Sequence, residues 1–157
     1  MEGFFRNKFY LGRLLESISA KLLFLQETWT SYSQENEMKK YFPDFNLQIS
    51  SSDMFTAPED LLCNTDHTWH GTAIMWHISL DSSVSRLTTT NSRFTAVTIK
   101  IQDHGFLVMS VYFPTCGKDE EYLELCTDLV NFVTLNQQMN SSDIVLVGAD
   151  SNCSNKS

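Results

Sequence analysis

Three places in this sequence carry side chains suited to acid–base or phosphate chemistry, and each lies at the end of an apolar run. Glu27 follows residues 22–25 within Leu25-Gln26-Glu27-Thr28-Trp29. Asp150 follows residues 144–147, with Asn152 two positions on. Tyr112 stands near the end of residues 106–113, before Pro114. A carboxylate at the carboxyl end of a strand in an open α/β sheet lies in the crevice where ligands bind. An Asp and an Asn two apart share one side of an extended segment, and together they could orient a water and a phosphate oxygen. A phenol could donate to another oxygen. Each has a plainer reading. A strand-end Glu is more often a solvated loop residue, Asp-Ser-Asn is ordinary Asx-turn chemistry, and a strand Tyr commonly packs its ring with the hydroxyl at the surface.

The elements that must position these groups are legible from periodicity. Residues 7–20 read as a helix, with Leu11, Leu14, Leu15 and Ile18 at the spacing of one buried face. Residues 22–25 read as a strand buried on both faces, and residues 35–42 as a short helix ended by Pro43. Residues 71–78, 93–101 and 106–113 read as strands. The last two are joined through Gln102-Asp103-His104-Gly105 as a hairpin. Residues 119–135 read as a helix with Tyr122, Leu125, Leu129, Phe132 and Val133 on one face. Its first turn holds Asp119, Glu120 and Glu121, where the helix dipole favours negative charge. A further buried strand, residues 144–147, leads to Asp150. Helices and strands in this order form a layered α/β domain.

Composition sets bounds on the chemistry. Of 157 residues, 42% are hydrophobic, enough for a core rather than disorder. Eleven basic against 19 acidic residues give a net charge of -8. That balance lacks the basic face usual in nucleic-acid binders, and suits either a hard-cation site or a solvated acidic surface. The four cysteines form no C-x-x-C pair, which leaves a zinc ribbon or redox pair unsupported. Cys63, His67 and His70 are near enough in sequence to raise a zinc site but lack a second ligand cluster. No signal peptide is expected from the charged first residues, nor a membrane span, since no apolar run approaches the length of one. The expected location is intracellular, including the nucleus, not secreted. The sequons at Asn140, Asn152 and Asn155 then read as chance matches.

Four segments together resemble one family. Leu25-Gln26-Glu27-Thr28-Trp29, Gly71-Thr72-Ala73-Ile74, Val111-Tyr112-Phe113-Pro114 and Val147-Gly148-Ala149-Asp150-Ser151-Asn152 are similar, in order and approximate spacing, to the motifs of the endonuclease/exonuclease/phosphatase superfamily. Ala149 stands where most members have Gly-Asp directly. Finer matches, at Glu2-Gly3-Phe4 with Arg6-Asn7-Lys8, at Trp69-His70-Gly71 and at residues 117–121, most resemble the apurinic-like endonuclease domain of non-long-terminal-repeat retrotransposons.

The resemblance implies a DNase I-like, four-layered α/β sandwich and Mg²⁺-dependent phosphodiester hydrolysis, with Mn²⁺ as a substitute ion and DNA as partner. No membrane association is expected, and no protein partner is predicted. By resemblance Glu27 holds the metal, Asp150 orients or deprotonates the attacking water, Asn152 helps to place it, and Tyr112 contacts the scissile phosphate. It also implies a first strand with a metal-site Asn ahead of Met1, a later Asp and a C-terminal Ser-Asp-His. None has a counterpart here, so residues 1–157 read as part of such a domain, without its first strand and C-terminal half. The alternatives are a non-catalytic remnant, or a member acting on inositol phosphate or sphingomyelin.

Overall fold

The computed structural model describes residues 3–51, 71–140 and 143–152. The candidate zinc residues Cys63, His67 and His70, and the sequon at Asn155, lie outside the described residues.

The chain runs α1 (Gly3–Ser17), β1 (Leu22–Gln26), a 3₁₀ turn (Tyr32–Gln34) leading into α2 (Glu35–Tyr41), β2 (Phe45–Ser50) and β3 (Thr72–His77). A second 3₁₀ segment (Ile78–Ser83) then gives way to β4 (Val84–Leu87), β5 (Phe94–Ile101), β6 (His104–Tyr112), α3 (Asp119–Asn140) and β7 (Ile144–Asp150). Two sheets form. One has the order β1-β3-β2 and is antiparallel; the other has the order β4-β5-β6-β7, antiparallel except for the parallel β6–β7 pair.

Burial explains the layering. Phe4, Met38 and Phe42 of the first two helices and their flanks pack with Leu47, Ile49, Ala73 and Met75 on the outer face of the first sheet. Leu125 of α3, with Leu129, Phe132 and Val133, packs with Phe94, Ala96, Leu107, Met109 and Val111 on the outer face of the second. Ile74, Trp76, Val97, Ile99 and Val108 fill the space between the sheets, with Leu22 and Phe24 joining from β1. Strand side chains alternate between faces, and here the central strands β3, β5 and β6 are buried on both. The order is helix, sheet, sheet, helix, as the resemblance implies.

Several expectations need correction. Helix α1 starts at Gly3 rather than near residue 7, because Phe4 is buried and its N–H donates to Thr28 O at 2.8 Å. Leu11 and Leu15 do pack on the first sheet, but Leu14 and Ile18 remain partly exposed. Strand β1 is half-buried on both faces, with Leu23 and Leu25 on the helix side and Leu22 and Phe24 between the sheets, whereas β7 is largely exposed. Among the described residues each is the last strand on its side of a sheet, and Ile144, Leu146 and Val147 are exposed. β7 also runs on through Gly148 and Ala149 to Asp150. Strands β2 and β4 have no counterpart in the expectations from sequence.

Leu125 and Leu129 differ in how much they hold. Leu125 is 1% exposed, whereas Leu129 is only partly buried. Leu125→Ala should cost about 2–5 kcal/mol in urea unfolding, and Leu129→Ala less. Equal, negligible losses would mean that α3 is not docked.

Candidate active site at the end of the sandwich

The strand register places the candidate residues. On β6 and β7, Phe106 pairs with Ile144, Val108 with Leu146, Ser110 with Gly148 and Tyr112 with Asp150. With a side-chain period of two, these are successive steps along the face turned toward the other sheet. Tyr112 and Asp150 are therefore its last step, at the carboxyl ends of two adjacent parallel strands. Opposite them β1 ends at Gln26, and Glu27 follows.

Glu27 leaves the strand direction abruptly. Its φ is +53°, and that of Trp29 is +48°, a region costly for residues with a Cβ and concentrated at functional sites. The surroundings hold the turn in place. Thr28 is buried, donates its N–H to Gly71 O at 3.2 Å and accepts from Phe4 at its carbonyl. Gly71 must be glycine: its φ is +86°, and a Cβ there would stand 2.6 Å from Thr28 Oγ1.

The turn aims Glu27 back across the end of the sandwich. The Tyr112 hydroxyl donates to Glu27 Oε1 at 2.6 Å, linking the two sheets. Tyr112 is itself buried, 4% exposed. Burial, first of all, pushes its phenol above the ordinary range; the hydrogen bond to Glu27 and the charges of Glu27 and Asp150 push the same way, while a side-chain hydrogen bond with Asn152 pulls back. The phenol is thus a neutral donor at physiological pH, within the field of both carboxylates.

Asn152 does not continue an extended segment beside Asp150. Its φ is +49°, its N–H donates to Asp150 Oδ1 at 3.0 Å, and its side-chain amide donates to Phe113 O at 2.6 Å. The turn reading of Asp-Ser-Asn and the clustering at the site are therefore both realised. The structure brings Glu27, Tyr112, Asp150 and Asn152 onto one rim.

Two residues near the rim carry no role assigned from the sequence. The Gln26 side-chain amide donates to Ser110 Oγ at 3.0 Å and to Gly148 O at 3.1 Å. The Arg93 guanidinium lies 5.9 Å from the centre of the Tyr112 ring and pairs with Glu121 at 2.8 Å. Gln26 was discoverable, since as a polar residue at the end of an otherwise apolar strand it must find buried partners. Arg93 precedes its strand, and no local pattern marks it.

The donor set bears on which cation fits. Among the described residues no three His, Cys, Asp or Glu side chains converge. One carboxylate, with a second acting on the same phenol, suits a Mg²⁺ or Mn²⁺ that keeps most of its water and gains phosphate oxygens from substrate. It does not suit zinc, which takes three or four protein ligands.

Comparison with solved structures shows what this architecture is. A structure of D. rerio TDP2 complexed with a single-strand DNA product matches with a TM-score of 0.56 and 16% identity, over 95% of this chain and 54% of that one. The endonuclease domain of TRAS1, a telomere-specific non-LTR retrotransposon, matches at 0.53 and 17%, over 92% and 52%. The endonuclease/exonuclease/phosphatase from Bacteroides vulgatus matches at 0.58 and 9%, over 98% and 60%. This is the endonuclease/exonuclease/phosphatase fold. The chain spans just over half the length of these superfamily structures. No protein-family model matches the sequence, and neither does any curated protein.

Proposed function

We propose that the chain is part of a Mg²⁺-dependent phosphodiester hydrolase, acting on DNA as an endonuclease of the retrotransposon type. The observation that carries this is the rim itself: Glu27, turned out of its strand with positive φ, accepts the Tyr112 hydroxyl from the opposite sheet, with Asp150 paired beside it. The fold shared with the TRAS1 endonuclease domain and with D. rerio TDP2 bearing a DNA product supports the substrate class.

Glu27 would hold the ion. A bound Mg²⁺ supplies charge neutralisation at the phosphoryl group and the leaving oxygen. Asp150, at the adjacent strand end, orients the water and takes its proton. Asn152 fixes the Asp150 carboxylate through its own N–H. Tyr112, kept protonated by burial, supplies an O–H donor that can pass from Glu27 to a phosphate oxygen. With a net charge of -8, phosphate is approached through the cation rather than through a basic face.

The test is nicking of supercoiled DNA with Mg²⁺. The isolated chain should nick slowly, since one carboxylate leaves the ion weakly held. That activity should vanish in Glu27→Ala and fall about 100-fold in Asp150→Asn, the scale of losing a general base. Nicking that survives Glu27→Ala would remove this rim from the chemistry. Complete inactivity with every ion and substrate would favour a non-catalytic remnant. Fast nicking by the isolated chain would show that half of the fold suffices.

A further inference from the structure

Beneath the rim lies a layer of small polar side chains that the chemistry above does not use. On the first sheet Ser50 pairs with Thr72, and Thr72 with Gln26; on the second Thr95 pairs with Ser110, and Ser110 with Gly148. Across the gap, Thr72 Oγ1 and Thr95 Oγ1 lie 2.7 Å apart. Ser110, fully buried, donates to Leu25 O at 3.0 Å while accepting from Gln26. The next layer inward is apolar, with Phe24, Ile74, Val97 and Val108.

In this layer one side chain touches all three strands that end in site residues. Gln26 belongs to β1 and directly precedes Glu27. Its amide nitrogen donates to Ser110 of β6, two residues before Tyr112, and to the Gly148 carbonyl of β7, two residues before Asp150. Among the described residues β1 and β7 are the outer strands of different sheets, and no backbone ladder joins them. Where backbone pairing is absent, side-chain contacts set the spacing, here the packing of Phe24 against Gly148 and the hydrogen bonds of Gln26 and Ser110.

We propose that Gln26 is the positioning residue of the rim: its carboxamide fixes β1 against β6 and β7, and thereby sets the reach between Glu27 and the Tyr112 hydroxyl. The inference rests on the hydrolase reading only for its consequence in catalysis; the geometric claim stands apart from it. Gln26 acts through Glu27 and Tyr112 rather than on a substrate. A Met at position 26 keeps the side-chain length but loses both donors. Ser110→Ala removes one acceptor and the bond to Leu25 with little change in volume.

The test uses tyrosine labelled with ¹³C at Cζ, whose chemical shift responds to hydrogen bonding at the hydroxyl. Of five tyrosines, Tyr112 is assigned by its absence in Tyr112→Phe, and Glu27→Gln calibrates the shift when the charged acceptor is replaced. Gln26→Met should move the Tyr112 resonance in the same direction and by a comparable amount, and Ser110→Ala by less. The other four tyrosines should hold their positions, and thermal unfolding should remain cooperative. A Tyr112 resonance unmoved in both Gln26→Met and Ser110→Ala would overturn the proposal, as would one unmoved in Glu27→Gln. Nicking measured on the same proteins separates the two ideas: shifts as expected with no nicking in any protein would sink the hydrolase reading and leave the positioning role intact.

Discussion

The purified chain should self-associate, with an apparent mass that climbs with concentration, and Val147→Lys should return it toward monomer. The two sides of the sandwich are finished differently. On the β2–β4 side, Arg86 donates to Leu47 O at 2.8 Å, Gln48 donates to Leu87 O at 2.6 Å, and Asn46 bonds Asp81. These bonds tie the outer strands of the two sheets together and satisfy backbone carbonyls there. On the β1–β7 side, the links are the Gln26 amide on the Gly148 carbonyl, the Ser110 hydroxyl on the Leu25 carbonyl and the packing of Phe24 against Gly148. The strand sequences there, LLFLQ and IVLVGAD, contain no Lys, Arg or Pro. Natural edges are usually blunted with such residues, because an open row of N–H and C=O groups accepts another strand. Val147 also lines an apolar cleft of about 230 Å³ with Met109, Val111, Leu129, Val130 and Val133. An added strand on β7 would bury both the row and the cleft, and a lysine at position 147 opposes both. Sedimentation velocity across a concentration series decides the matter. A strict monomer throughout, with slow amide exchange on β7, would mean that this edge is already covered.

That same edge shows how far the sequence could be read. The apolar runs at residues 22–25 and 144–147 do become strands, and the inference that they are covered on both faces follows from composition alone. Composition records that a strand requires cover; the neighbours that provide it are a tertiary property. Where both faces are filled by described elements, as on β5 and β6, the alternation of Phe94 and Ala96 against Val97 and Ile99 is legible and correct. Helix α3 is legible for the same reason, its apolar face meeting a sheet. β2 escapes the reading because its inward positions include Asn46 and Gln48, which are polar in order to bond Asp81 and the Leu87 carbonyl. A polar residue facing inward inverts the expected pattern. For the site, the order of the motifs placed Glu27, Tyr112 and Asp150 at strand ends. Their convergence depends on the register of β6 with β7 and on the left-handed turn at Glu27. Neither is encoded locally in a form that periodicity detects.

Adding one methyl group at position 148 should damage the fold far more than adding one at position 117. A Cβ on Gly148 would lie 2.3 Å from Phe24 Cγ and 2.6 Å from Phe24 Cβ. The Phe24 Cβ is fixed to the backbone, so no rotamer change can clear it; β1 and β7 must separate. Overpacking of this kind costs typically 1–3 kcal/mol, and Gly148→Ala should fall at the upper end, about 3 kcal/mol. Gly117→Ala is the internal control. Gly117 has φ +93° but nothing within 4 Å of the added Cβ, so that variant carries backbone strain alone, about 1 kcal/mol. Urea midpoints for the two variants separate steric from conformational cost. The location adds a second consequence. Gly148 O accepts from Gln26, and Asp150 lies two residues on, so moving β7 outward draws Asp150 away from Tyr112 and Glu27. Slow Mg²⁺-dependent nicking should therefore fall in Gly148→Ala even at temperatures where the protein is fully folded, and should be unchanged in Gly117→Ala. Equal stability for the two variants would show that β1 and β7 are not in the close apposition that places the rim.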